Sequence, residues 1–111
     1  KPAESSKDIA LRVATARELA ISRNGCLNSA LSADALEKCA PLSPAAASLL
    51  RHHVERGRLS GRGYHRIRRV ARTVSDLRDQ SECVDEGHVA VALALRVGVQ
   101  PQFSGDKVVQ A

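Results

Sequence analysis

Residues 59–77 read LSGRGYHRIRRVARTVSDL, and one periodicity inside them limits what the whole chain can become. Tyr64, Ile67, Val70, Ala71, Val74 and Leu77 recur at the 3.6-residue repeat of an α-helix. Ser60 stands where an N-cap belongs, and the pattern predicts a helix to about Asp79. Five arginines and His65 fill positions between the apolar ones. A helix with one apolar stripe needs other elements to cover it, and no convincing strand pattern exists elsewhere in the chain. The expected fold is therefore all-α.

The flanking segments supply the covering helices. Ser5, with Asp8 three residues on, opens a helix over 6–23 that places Ile9, Val13, Ala16 and Ala20 on one face. Asn24-Gly25 is a C-terminal stop signal. Residues 24–43 are less regular, with a short helical turn at 32–38 before Pro41. Ser43-Pro44 is a start signal, because proline at the first helical position gives up only an amide that has no partner there. Ala46, Leu49, Leu50, His53 and Val54 mark the face of that helix, and Gly57 stops it. The link to Ser60 is short enough to fold it back against the arginine-rich helix. Asp85 is read as the cap of a last helix, with Glu86 favourable to its dipole and Val89, Ala92, Leu93 and Arg96 on one face. The segment VQPQFSGDKVVQA has no helical pattern. The reading is a bundle of four main helices within residues 1–97, followed by a flexible tail at 98–111 in which Phe103 can dock.

Composition narrows the function classes. Apolar residues make up 43% of the chain, yet Tyr64 and Phe103 are its only aromatics. A core of Ala, Val, Leu and Ile buries little area per side chain, and at roughly 25 cal/mol per Å² it supports modest stability. Such a domain, opening on Lys1, is expected to be part of a larger protein rather than a self-sufficient enzyme. The formal charge is +5, concentrated in residues 51–78, where nine arginines face only Glu55 and Asp76. That imbalance favours an anionic partner, against the plainer reading of a solvated helix face. A membrane surface fits poorly, because the core needs the apolar stripe. No run is long enough to cross a bilayer, and no signal pattern opens the chain.

Cys26, Cys39 and Cys83 form no CxxC pair, which suits reduced thiols in a cytoplasmic protein. His52 and His53 are adjacent, and no histidine pair sits four apart, so no metal site is expected and His53 reads as a half-buried core residue. Nothing arranges a nucleophile, base and orienting acid. No GxxxxGK[ST] stretch is present to cradle phosphates.

At 100° per residue, Arg66, Arg69, Thr73 and Asp76 fall within about 40° of Arg62. The apolar stripe centres roughly 130° away. Arg62, Arg66 and Arg69 are thus expected as a ridge beside the core, with Arg68 and Arg72 toward solvent. Arg62 differs from the rest in lying in the first turn, between Gly61 and Gly63. Backbone amides there lack intrahelical partners and the helix dipole favours an anion. A guanidinium fork beside that end suits a phosphate. Two destinations for the charge stay open at this point: a nucleotide phosphate at Arg62, or nucleic acid along Arg66, Arg68, Arg69 and Arg72.

The motif itself resembles a signature of the C-terminal domain of bacterial magnesium-chelatase-like AAA+ ATPases of the ComM/YifB type, close to LSARAYHRILRVARTIADL. Leu59, Ser60, Arg62, Tyr64, His65, Arg66, Ile67, Arg69, Val70, Ala71, Arg72, Thr73, Asp76 and Leu77 agree with it. RNGCLNSAL upstream resembles a family segment with a Gly-x-Leu-Asn core, and the pattern from Glu86 to Leu93 resembles its final helix. The resemblance spans roughly residues 4–96 and implies the helical lid of a ring-forming ATPase. In that setting a separate P-loop domain and neighbouring subunits hold ATP with Mg2+, and Arg62 takes the position of the sensor-2 arginine that reaches the phosphates. The family's link to DNA branch migration keeps DNA as an implied partner. Gly61 and Gly63 stand where alanine-like residues are usual, and Arg68 replaces an apolar one.

Overall fold

The computed structural model describes residues 5–99, with only the backbone of 97–99. Five α-helices follow in order: α1 (Ser6–Asn24), α2 (Ala33–Cys39), α3 (Pro44–Glu55), α4 (Gly61–Arg78) and α5 (Glu86–Val99), with a 3-10 turn at Asn28–Ala30 between the first two. The first two residues of the tail expected at 98–111 instead close α5, and the rest, from residue 100 on and with Phe103, lies outside the described residues. Among the described residues no strand forms. One parallel bridge joins Leu42 to Val84, where Ser43 N–H donates to the Val84 carbonyl at 2.9 Å and Val84 N–H to that of Pro41 at 2.7 Å. It ties the start of α3 to the start of α5.

Serine starts four of the helices. Ser5, Ser32, Ser43 and Ser60 each accept from a backbone amide three residues on, at 3.0–3.2 Å. Gly25 ends α1 at φ +80°, a backbone that suits glycine, and its N–H reaches the Ile21 carbonyl at 2.8 Å. The start of α5 is built differently from expectation. Asp85 donates its backbone N–H to His88 Nδ1 at 2.9 Å, so the third helical residue caps the residue before the helix. That bond leaves the proton on Nε2, which donates to the Asp79 carboxylate at 2.9 Å.

α4 is the central rod. It packs chiefly on α5, and also on α1, the 3-10 turn and α2. Its partner across the core is not α3: that helix lies mainly on α5, which corrects the expected α3–α4 hairpin. Leu36, Ala46, Leu50, Leu59, Ile67, Ala71, Val84, Val89 and Ala92 make one continuous apolar cluster. α1 contributes little to it. Ala16 and Ala20 are buried, but Ile9, Leu11 and Val13 are 44%, 67% and 42% exposed, so only the second half of the expected stripe meets the body.

The side of α4 assigned to solvent is covered as well. Arg68 and Arg72 are each 2% exposed. Arg68 lies under the C-terminal end of α2 and donates to the carbonyls of Leu36 (3.2 Å) and Ala40 (2.8 Å) and to Glu37 Oε2 (2.8 Å). The Leu36 carbonyl already accepts the Ala40 N–H at 2.9 Å, so Arg68 adds a second donor to it, and the cation faces the negative end of the α2 dipole. The Tyr64 ring, with its centroid 5.7 Å from the Arg68 guanidinium, packs beside it. Arg72 donates to the carbonyls of Ser81 and Glu82, pinning the α4–α5 loop. The wheel erred because it treats polar side chains as seeking water. Here the neighbouring surface is backbone carbonyl, which a guanidinium fork serves equally well.

Asp76, also 2% exposed, joins these pieces. Arg23 from the last turn of α1 binds it through both nitrogens at 3.0 Å, Asn28 Nδ2 donates at 2.9 Å, and Arg72 Nη2 at 3.3 Å. Arg23 also reaches Asn28 Oδ1 at 2.9 Å. Burial alone raises the Asp76 pKa, but the hydrogen bonds from Arg23 and Asn28 and the charges of Arg23 and Arg72 outweigh it and hold it below the usual carboxylate range.

Two outcomes follow for stability. Asp76→Asn leaves two buried or half-buried guanidiniums without their anion and should cost about 3 kcal/mol or more in urea unfolding followed by far-UV circular dichroism. The folded pKa lies below the unfolded one, so the unfolded chain takes up the proton first as the pH falls. The Asp76 contribution is therefore complete above about pH 4 and is lost as the pH drops through the depressed folded value. The unfolding midpoint should fall more steeply with acid in the native chain than in Asp76→Asn.

Candidate functional site

The N-terminal turns of α4 and the C-terminal half of α5 line a groove of about 400 Å³. Its floor is apolar, from Ile67 and Val70 on α4 and Ala92 and Leu95 on α5. Arg62 and Arg66 line it from one helix and Arg96 from the other, with Ser60 and Gly63 also in its lining. None of these lining residues is acidic.

The local sequence explains the arrangement. Ser60 caps the Gly63 amide at 3.0 Å, which fixes the first turn and sends the Arg62 side chain outward. Arg62 and Arg66 are exposed, one turn apart on the same flank, and neither has a hydrogen-bond or ion-pair partner among the described residues. Arg96 is exposed too, and its Nη1 donates to the Arg58 carbonyl at 3.2 Å, which fastens α5 to the link between α3 and α4. The positive field spreads past the groove. His53 at the end of α3 has a lowered pKa, first from burial and then from the charges of Arg58, His52 and Arg96.

The other arginines singled out from the sequence lie elsewhere. Arg69 is half-buried, its Nε donating to the Leu31 carbonyl at 2.7 Å, so it leaves the ridge expected with Arg62 and Arg66. Arg68 and Arg72 are buried, and their terminal nitrogens donate inside the fold rather than facing the surface. Of the four arginines considered for nucleic acid, Arg66 is the exposed one. A wider hollow of about 500 Å³ borders the α4–α5 loop, but its cations Arg23 and Arg72 are already joined to Asp76. Arg96 escaped notice as a site residue because only the packing of α5 on α4 brings it beside Arg62. His65 sits edge-on to Tyr64, ring centroids 5.2 Å apart. Among the described residues no three metal-ligating side chains converge, and no helix is long and apolar enough to cross a membrane.

The family model for the magnesium chelatase, subunit ChlI C-terminal, domain matches residues 3–96. The competence protein ComM of Haemophilus influenzae is 32% identical over 97 residues, covering 87% of this chain but 19% of that protein. The chain thus spans a small part of that relative's length. No solved structure matches.

The two glycines beside Arg62 are not equivalent. A Cβ at Gly61 would meet nothing within 4 Å, whereas one at Gly63 would lie 3.4 Å from the capping Ser60 hydroxyl and 3.5 Å from Leu59. Gly61→Ala should therefore raise stability by up to about 1 kcal/mol, with a smaller gain or none for Gly63→Ala. Thermal unfolding of the two variants measures the difference.

Proposed function

The chain belongs to the magnesium chelatase, subunit ChlI C-terminal, family, and on that footing we propose that it is the helical lid of a cytoplasmic AAA+ ATPase in which Arg62 is the sensor-2 residue. ATP with Mg2+ would be held by a separate P-loop core and by neighbouring subunits of a ring. This sequence has no phosphate-cradling loop of its own, so the lid forms one wall of the site rather than the whole of it. The domain boundaries follow the same reading: a lid that runs to the end of α5 at Val99, and a tail beyond it.

One observation carries the reading. Arg62 is exposed and, among the described residues, without a hydrogen-bond or ion-pair partner, in the first turn of the central helix, at the edge of a groove with no acidic side chain among its described lining residues. A guanidinium placed there is free to meet a phosphate presented by another domain. Its work would be to stabilise charge on the γ-phosphate oxygens as the bond to the β-phosphate breaks. Because α4 packs against four other elements, a pull on Arg62 is transmitted to the lid as a rigid body, which suits a rotation that reports nucleotide state. The competing reading, a basic helix lying on DNA, loses support from the burial of Arg68 and Arg72.

The test uses the ATPase that carries this domain. Arg62→Ala should lower its hydrolysis rate by on the order of 100-fold while leaving affinity for duplex DNA unchanged in a gel-shift titration. Normal hydrolysis with lost DNA binding would transfer the role of α4 to nucleic acid.

A further inference from the structure

Arg62 does not face its groove alone. Arg66 lines the same wall one turn further along α4, and Arg96 reaches in from α5. Three arginines line one hollow, with no carboxylate among its described lining residues. Like charges that line one groove repel one another, an effect that water screens in part because all three side chains are exposed. The buried arginines Arg68 and Arg72 donate to carbonyls and, for Arg72, to Asp76, whereas Arg62 and Arg66 have no partner among the described residues and Arg96 has the Arg58 carbonyl alone. A ligand with several adjacent negative charges relieves that repulsion, and a planar fork binds phosphate oxygens two at a time.

We propose that this groove is a polyphosphate cradle in which Arg66 and Arg96, together with Arg62, grip consecutive phosphates of a nucleoside triphosphate. The inference extends the reading of Arg62 as a phosphate-facing residue and rests on it for the identity of the nucleotide. Arg96 brings a consequence that Arg62 alone does not. It belongs to a second helix and donates to the Arg58 carbonyl, so a bound polyphosphate clamps α5 to α4 and to the link that precedes it.

The probe is inorganic tripolyphosphate, titrated into this chain at low salt and followed by amide chemical shifts, with ATP as a parallel arm. Shift changes are expected at 60–66 and 92–96. Arg66→Gln and Arg96→Gln should each weaken binding by on the order of tenfold. Arg96→Lys, which keeps the charge but not the fork, should recover part of the loss. Arg78→Gln serves as control, because it is exposed at the opposite end of α4, about 24 Å from Arg62 along the axis, and should bind as the native chain does. Loss on Arg66→Gln and Arg96→Gln with none on Arg62→Gln would keep the cradle and sink the sensor-2 role. Loss on Arg62→Gln alone would keep that role and overturn the cradle. No binding of tripolyphosphate or ATP, or equal weakening by Arg78→Gln, would also overturn it. So would short duplex DNA binding through these arginines while both polyphosphates fail.

Discussion

Asp76 is a carboxylate cut off from water, and an isolated charge in that position would be untenable. It is tolerated because donors from three directions meet it: Arg23 from the first helix, Asn28 from the turn that follows, and Arg72 from its own helix one turn back. Those donors are not interchangeable with apolar contacts. Alanine and valine surfaces slide past one another at small cost, while a bidentate guanidinium on a carboxylate accepts one orientation. The network ties the end of α1 and the turn that follows it to α4, and through Arg72 it also holds the α4–α5 loop. Packing of α5 on α4 is apolar, through Ile67, Ala71, Val89 and Ala92.

Much of this was legible in the residues themselves. Serines at positions 5, 43 and 60 announce helix starts through a local hydrogen bond that depends on nothing distant, and Gly25 announces a stop for the same reason. The all-α class follows from one strong period and a lack of alternation. What the sequence concealed was the environment of α4. A wheel separates apolar from polar positions, and it places Arg68 and Arg72 opposite the apolar stripe. It has no means of showing that the far side is roofed by the carbonyl ends of α2 and of a loop, partners thirty or ten residues away in the chain. The His88 cap was hidden for a related reason. Asp85 is the commoner capping residue, and only the coordinates reveal that the bond runs from its amide to the imidazole.

The site was legible in part as well. Arg62 stands out from first-turn chemistry alone, and Arg66 follows from it by one helical turn. Arg96 depends on tertiary packing, and its position on α5 gives no local hint of a shared groove. The family match and the geometry bear on different things. The match assigns the domain to its family. The geometry distinguishes arginines used as internal fasteners from those left facing outward, a distinction that charge counting along α4 does not make. Nine arginines in residues 51–78 look like one basic surface, yet the fold divides them into groups with separate work.

Tyr64 has a practical corollary. It is the sole tyrosine of a chain without tryptophan, and it lies against the Arg68 guanidinium where α2 meets α4. Ultraviolet emission excited near the phenol band thus arises from one defined spot. The unlabelled molecule carries its own optical reporter of that junction, free of the overlapping signals that complicate most proteins.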